Sequence, residues 1–300
     1  MAIDRYQTIS TKNLERKERR CGKEEGKRIH VTGIEQKMPK GKQKWNDFLS
    51  NGENKNDLMA SFGQFLKEYL PNRERLDIEI IFCGEEVWSR NENGFAEKEC
   101  CNHEEADTKV ALYALKSDAN VVVVAEDCDS FVLLITFFST SKPQFKWSVR
   151  YSRCKYAKIE HIVKNLGCNV CNFMIQYHAI SGCDTTSYFY RIGKVIPFKN
   201  AVKKGNLYLL KELGTGKSIS TECIESCKEF IRTVLYKGNS GETYLQTRVR
   251  MYDKQPTKSK TATTIPPDID LCTQHILRCH LTAFNWINSD KNTIPPKSDK

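Results

Sequence analysis

Four consecutive valines, Val121–Val124, followed by Ala125-Glu126-Asp127-Cys128-Asp129, constrain this chain more than any other stretch. An apolar, β-branched run without alternation suits a strand buried on both faces, as in a parallel sheet. With a strand's period of two, Asp127 and Asp129 are expected to project to the same side of its end. Two carboxylates a few ångströms apart repel unless one is protonated or a cation lies between them. Hard cations such as Mg2+ favour oxygen ligands of this kind. Taken alone, the motif is accounted for equally well by an ordinary strand-end turn, where aspartate is common.

Periodicity organises the rest. Ser10 and Thr11 can cap a helix through Leu14–Arg20, and Lys37–Lys44 reads as a loop. Leu58, Phe62, Phe65, Leu66 and Tyr69 recur at helical spacing, and Pro71 ends that helix. Ile78–Cys83 reads as a strand, with a hairpin-like turn at Asn91–Gly94 between Glu86–Ser89 and Phe95–Glu97. A helix over Glu104–Lys116 precedes the valine strand; an element helical at its start opens at Phe131, and a strand follows at Lys146–Tyr151. Helices are then expected over Ile159–Leu166, Val170–Ile180, Leu207–Leu213, Glu222–Leu235 and Leu271–Trp286. Residues 251–268 and 288–300 are rich in Lys, Thr, Pro and Ser and read as linker and tail. Strands alternating with helices, then mostly helices, predict an α/β layer with a helical C-terminal extension.

Composition narrows the classes. The 300 residues suffice for one large domain or two small ones. The longest apolar stretches, Val121–Ala125 and Phe131–Phe138, are far short of the roughly 20 residues a membrane helix needs. Met1–Tyr6 has no apolar signal-peptide core, so the 13 cysteines read as reduced thiols of an intracellular protein. The net charge of +10 is unevenly spread. Residues 1–50 carry 13 Lys/Arg against 7 Asp/Glu, whereas residues 101–130 carry 2 Lys against 7 Asp/Glu. The basic stretch is either a solvated face or a phosphate-binding surface. The acidic island is dispersed or holds a cation.

Two further blocks carry carboxylates. His103-Glu104-Glu105-Ala106-Asp107 opens a helix, where the dipole favours negative side chains in any case. Either Glu104 or Glu105 can serve with Asp107 as a ligand. His178-Ala179-Ile180-Ser181-Gly182-Cys183-Asp184 ends in a turn or helix start, and Arg191-Ile192-Gly193-Lys194 can form a tight hairpin whose amides face a phosphate. A simple Asp cap and a helix-ending glycine explain the same residues.

In order, these blocks resemble the flap-endonuclease superfamily, the metal-dependent nucleases with a PIN-like domain. Glu105-Ala106-Asp107 resembles that family's E-A-E helix start, and Glu126-Asp127-Cys128-Asp129 its E-D-x-D strand end. Ser181-Gly182-Cys183-Asp184 is similar to its G-x-D block, and Arg191–Lys194 to its glycine-bearing helix–two-turn–helix. Ile3-Asp4-Arg5 and the basic Arg16–Arg20 resemble its F-D-G and arch helix. His103–Lys109 with His178–Lys194 is closer still to PIN-like proteins common in invertebrate genomes and often transposon-associated.

The resemblance covers roughly residues 1–200. It implies an α/β, three-layer PIN-like fold with a mainly parallel central sheet and a helix–turn–helix-like element near 178–200. A helical extension over 201–250, a linker over 251–268, a helix over 269–287 and a tail over 288–300 would follow. It implies phosphodiester hydrolysis of nucleic acid, DNA rather than RNA, with two Mg2+ or Mn2+ ions held by Asp4, Glu105, Asp107, Asp127, Asp129 and Asp184. Arg16, Lys17, Arg19, Arg20, Gly193 and Lys194 would bind the nucleic acid, which in turn suggests the nucleus. The sequence departs from the pattern at three points. Asp stands for Glu at 107, Arg191 stands where Gly is frequent, and the family's earlier strand ending in Asp has no counterpart ahead of Asp4, as in an N-terminally truncated member. The alternative function is a catalytically inactive PIN-like nucleic-acid-binding or scaffold protein.

Other chemistries fit less well. Cys168-Asn169-Val170-Cys171 is a single C-x-x-C without the second ligand pair that structural zinc needs. No Cys/His pair is favoured as a nucleophilic site. Gly214-Thr215-Gly216-Lys217 lacks the spacing of a phosphate loop.

Overall fold

A computed structural model describes residues 1–2, 4, 26–33, 35–69, 80–83, 87–91, 94–98, 101–257 and 260–295. The basic helix expected over Leu14–Arg20, with Arg16, Lys17, Arg19 and Arg20, lies outside these. The chain forms two compact units, Met1–Tyr113 with Lys291–Ile294, and Ala114–Asp290.

The first unit opens with helices α1 (Lys42–Ser50) and α2 (Gly52–Tyr69). The loop expected at Lys37–Lys44 gives way to α1 at Lys42. Buried Asn54 holds the 26–31 segment to these helices. Its Oδ1 accepts from Ile29 N at 2.8 Å, and its Nδ2 donates to Lys27 O and Phe48 O at 3.0 Å each. Strands β1 (Ile80–Cys83), β2 (Val87–Asn91) and β3 (Gly94–Glu97) form an antiparallel sheet in which Asn91 pairs with Gly94, as the hairpin signal predicts. Phe82 and Trp88 stack across it at 5.3 Å. Helix α3 (Ala106–Lys116) begins two residues later than expected and crosses the division between the units.

The second unit carries strands β4 (Val121–Val124), β5 (Trp147–Ser152) and β6 (Lys155–Lys158). β4 pairs parallel with β5, and β5 antiparallel with β6. The mainly parallel sheet expected is therefore not what the described strands form: β4–β5 is their one parallel strand pair, against three antiparallel. Burial of the valine strand also differs from expectation. Val123 is 7% exposed, but Val122 is 59% and Val124 64% exposed. One face of the strand is covered and the other open, although its composition is that of a strand enclosed on both sides.

Helix α4 (Cys128–Ser141) follows β4 and is buried nearly all round. Buried Thr136 fits an apolar setting because its hydroxyl bonds back to the helix, at Val132 O, at 2.9 Å. Helix α5 runs over Ile159–Leu166 as its periodicity predicts. The helix expected over Val170–Ile180 is two, α6 (Cys168–Cys171) and α7 (Met174–Ser181), broken at Phe173. Every residue from Ile175 to Ser181 is buried.

After α8 (Val195–Lys204), the segment expected as a helix over Leu207–Leu213 is a 3₁₀ turn, Asn206–Leu210, entered through left-handed Gly205. α9 (Thr221–Phe230) continues as a π-helical turn through Leu235. α10 (Tyr244–Asp253) opens on a capping box between Thr243 and Gln246. The expected linker over 251–268 is largely tied down. The Gln255 side chain bonds Thr261 and Thr264, and Tyr244 Oη donates to Pro267 O at 3.0 Å.

α11 (Ile269–Ile287), capped by Asp268, packs along α7. Cys272, Ile276, Cys279 and Ala283 form its wholly buried stripe, at the four-three-four spacing of a helix seam. Among the described residues no helix is long and apolar enough to cross a membrane.

Candidate metal centre

Asp127 and Asp129 converge by capping rather than by strand alternation. β4 ends at Val124, and Asp127 is the N-cap of α4, with φ −84° and ψ 143°. Its Oδ1 accepts from the Asp129 backbone N–H at 3.1 Å, satisfying one of the helix's orphan donors. The expectation of two aspartates on one side of a strand is thus corrected. Both belong to a helix start, whose positive dipole end favours their charge.

Asp184 arrives from the far end of α7. Gly182 ends that helix at φ +103°, a conformation side-chain-bearing residues rarely adopt. Thr186 then locks the turn: its hydroxyl accepts from Cys183 N and donates to Ala179 O, each at 2.8 Å. Thr185 and Thr282 hydroxyls meet at 2.8 Å and tie the turn to α11. Carboxylate oxygens of Asp127, Asp129 and Asp184 come within 4.8 Å of one another. Three hard oxygen donors at that separation form a group that could hold a metal ion.

A second group shares Asp129. Cys128, Asp129 and His178 also offer ligand atoms within 4.8 Å. His178 Nε2 lies 2.8 Å from Asp129 Oδ1 and 4.0 Å from Cys128 Sγ. On its other side, His178 Nδ1 is 3.1 Å from Lys194 Nζ. An ammonium only donates, so Nδ1 is the acceptor and Nε2 carries the proton directed at Asp129. Trp286 stacks on the imidazole at 5.8 Å. The result is a chain from a buried carboxylate through a buried imidazole to a half-buried ammonium.

The electrostatics agree with this arrangement. Burial opposes ionisation of Asp129, but the hydrogen bond from His178, with the positive charge of Lys194 beyond, outweighs it and holds the carboxyl below its ordinary range. Burial, then the charges of Asp129 and Asp127, push the Cys128 thiol up to about 11. A thiol so disfavoured as thiolate is no activated nucleophile, despite its proximity to histidine. Desolvation lowers the Lys194 ammonium, which neighbouring acidic groups partly offset.

The remaining predicted residues divide between the two units. Asp4, Glu105 and Asp107 belong to the first unit, Asp127, Asp129 and Asp184 to the second. Asp4 Oδ1 accepts from Ala106 N at 2.7 Å, and Thr108 Oγ1 donates to Glu105 O at 2.8 Å, so these act at the start of α3. Gly193 has no left-handed conformation, and a Cβ there would meet nothing within 4 Å. The left-handed residue of that turn is Arg191, at φ 59°, so the expected Ile-Gly-Lys hairpin is replaced by a turn running into α8. Lys194, expected to face nucleic acid, is half-buried with its ammonium on His178.

Cys168 and Cys171 are free thiols on α6, outside both metal-capable groups. His178 is the contributor that motif reading left without a role. The signal was its place one α7 turn ahead of the Gly182 break.

Comparison with protein-family models, with curated proteins and with solved structures returns no match.

Proposed function

We propose that this chain is a divalent-metal-dependent phosphodiesterase acting on nucleic acid, with Asp127, Asp129 and Asp184 as ligands and Mg2+ or Mn2+ as the metal. The observation that carries this reading is the approach of three carboxylates, from two helix ends far apart in sequence, to within 4.8 Å. Like charges gathered at that distance are stabilised when a cation neutralises them. The donor set is all oxygen, which suits Mg2+ or Mn2+. Bound there, such an ion supplies electrostatic stabilisation of a phosphoryl centre and lowers the pKa of water for attack.

The chain's own residues would position the rest. The Asp127 cap fixes its carboxylate against the α4 amides. His178 holds one oxygen of Asp129, orienting the other. Lys194 supplies a fixed positive charge behind His178. The three carboxylates are among the six that the PIN-like, flap-endonuclease-like resemblance of the motifs would use, and that resemblance would add a second ion. Asp4, Glu105 and Asp107 carry no part of the structural support.

A second reading is a non-catalytic nucleic-acid-binding or scaffold protein. It is favoured by the Lys194–His178–Asp129 chain, which balances Asp129 without a metal.

One experiment separates the two. The purified chain is incubated with labelled single-stranded, flap and bubble DNA, and with RNA, in Mg2+, Mn2+ or EDTA, beside Asp127→Asn/Asp129→Asn. Cleavage that needs the metal and falls at least about 100-fold in the variant supports the enzyme. Binding without cleavage supports the second reading, and cleavage unchanged in the variant contradicts the assignment.

A further inference from the structure

We infer that the tyrosine-bearing loop 187–191, with helix α8 behind it, seats an unpaired nucleic-acid strand whose bases stack on Tyr188 and Tyr190. The inference deepens the proposed phosphodiesterase reading and rests on it for where the strand leads. Tyr188 is 64% and Tyr190 52% exposed. Each ring has a cation near its face: Lys194 Nζ lies 5.6 Å from the Tyr188 centroid, and Arg191 Cζ 5.1 Å from that of Tyr190. Val195 and Ile196, opening α8, are also exposed. The charge along this stretch has one sign. From Thr185 to Lys211 there are six Lys/Arg and no Asp/Glu. Lys199, Lys203 and Lys204 are exposed on α8.

Positive charge with open aromatic faces fits one polyanion better than others. Unpaired nucleotides offer phosphates to the cations and a π-face to each ring. A duplex hides its base faces inside the stack. An acidic peptide satisfies the cations but carries no π-face on each unit to stack on the tyrosines.

Tyr188 is held in place. A Cβ on Gly182 would lie 2.7 Å from Tyr188 Cδ1 and 2.9 Å from Ser187 O. The tyrosine segment therefore packs directly on the glycine two residues before Asp184. This places the stacking surface beside the carboxylates, so a strand lying on it brings its phosphates toward Asp184.

The test is fluorescence anisotropy with the full chain in EDTA, where cleavage plays no part. The probes are fluorescein-labelled oligo-deoxyadenylate and oligo-riboadenylate of about 20 nucleotides, and a duplex of the same length. The variants are Tyr188→Ala/Tyr190→Ala and Tyr188→Phe/Tyr190→Phe, with circular dichroism as the check on folding. The alanine pair should weaken single-strand binding by about tenfold or more, and the phenylalanine pair and the duplex should change less than about twofold. Either the deoxy- or the ribo-strand meeting this pattern supports the proposal. Alanine variants that bind both strands like the parent overturn it, as does displacement of the strand by polyglutamate as readily as by unlabelled oligonucleotide. A parent that binds in this manner yet never cleaves in Mg2+ or Mn2+ defeats the phosphodiesterase reading and supports the stacking surface.

Discussion

His178 and Asp129 join the middle of α7 to the first turn of α4 through a 2.8 Å hydrogen bond between Nε2 and Oδ1, with both residues over nine-tenths buried. A carboxylate in that setting depends on its donor. His178→Ala is expected to leave Asp129 under-bonded and to cost about 1–3 kcal/mol in urea unfolding. Unchanged stability would show that the contact carries no weight.

Gly182→Ala tests the turn that presents Asp184. The residue adopts φ +103°, and the added Cβ would collide with Tyr188 and Ser187 O. Strain of this kind costs about 1–3 kcal/mol, read as a fall in unfolding midpoint. A neutral substitution would mean that the turn is not built as described.

The valine strand separates into two behaviours. Val123→Ala removes packed side-chain volume and is expected to cost about 1.5–3 kcal/mol. Val122→Thr with Val124→Thr alters the open face and should stay within about 0.5 kcal/mol per site. Equal losses at all three positions, measured by chemical denaturation, would show a strand enclosed on both sides.

Glu242 provides a pH dependence away from the candidate metal centre. Arg250 first, at 2.6 and 3.0 Å, then Asn239, hold its carboxyl down at about 2, against an ordinary 4.5. A lowered folded value contributes stability that is present above 4.5 and lost as pH falls toward about 2. Glu242→Gln removes that contribution at neutral pH. The gap between variant and parent should therefore narrow through this window in acid unfolding curves, and a constant gap would contradict the pairing.

Local signals located many elements and missed what long-range contacts decide. The period of Ile159–Leu166 and of α2 shows directly in their apolar spacing, and the valines mark β4. Whether Val122 and Val124 are covered depends on neighbours that spacing cannot name. Asp127 and Asp129 were legible as a pair. Their geometry was not, because a cap uses Asp127 to start α4 three residues before the expected Phe131. His178 and Lys194 are invisible as partners: 16 residues separate them, and 49 separate His178 from Asp129, so only the packing of α7 brings them together. Polar composition made residues 251–268 look unstructured, yet single side chains such as Gln255 anchor such a segment.

Electron paramagnetic resonance of Mn2+ titrated into the full chain tests the carboxylate centre most directly. The free-ion signal should be depleted by the parent, with Mg2+ competing, and binding should weaken by about tenfold or more in both Asp129→Asn and Asp184→Asn. A parent that leaves the Mn2+ signal untouched, or variants that bind as the parent does, would contradict a metal site at these aspartates.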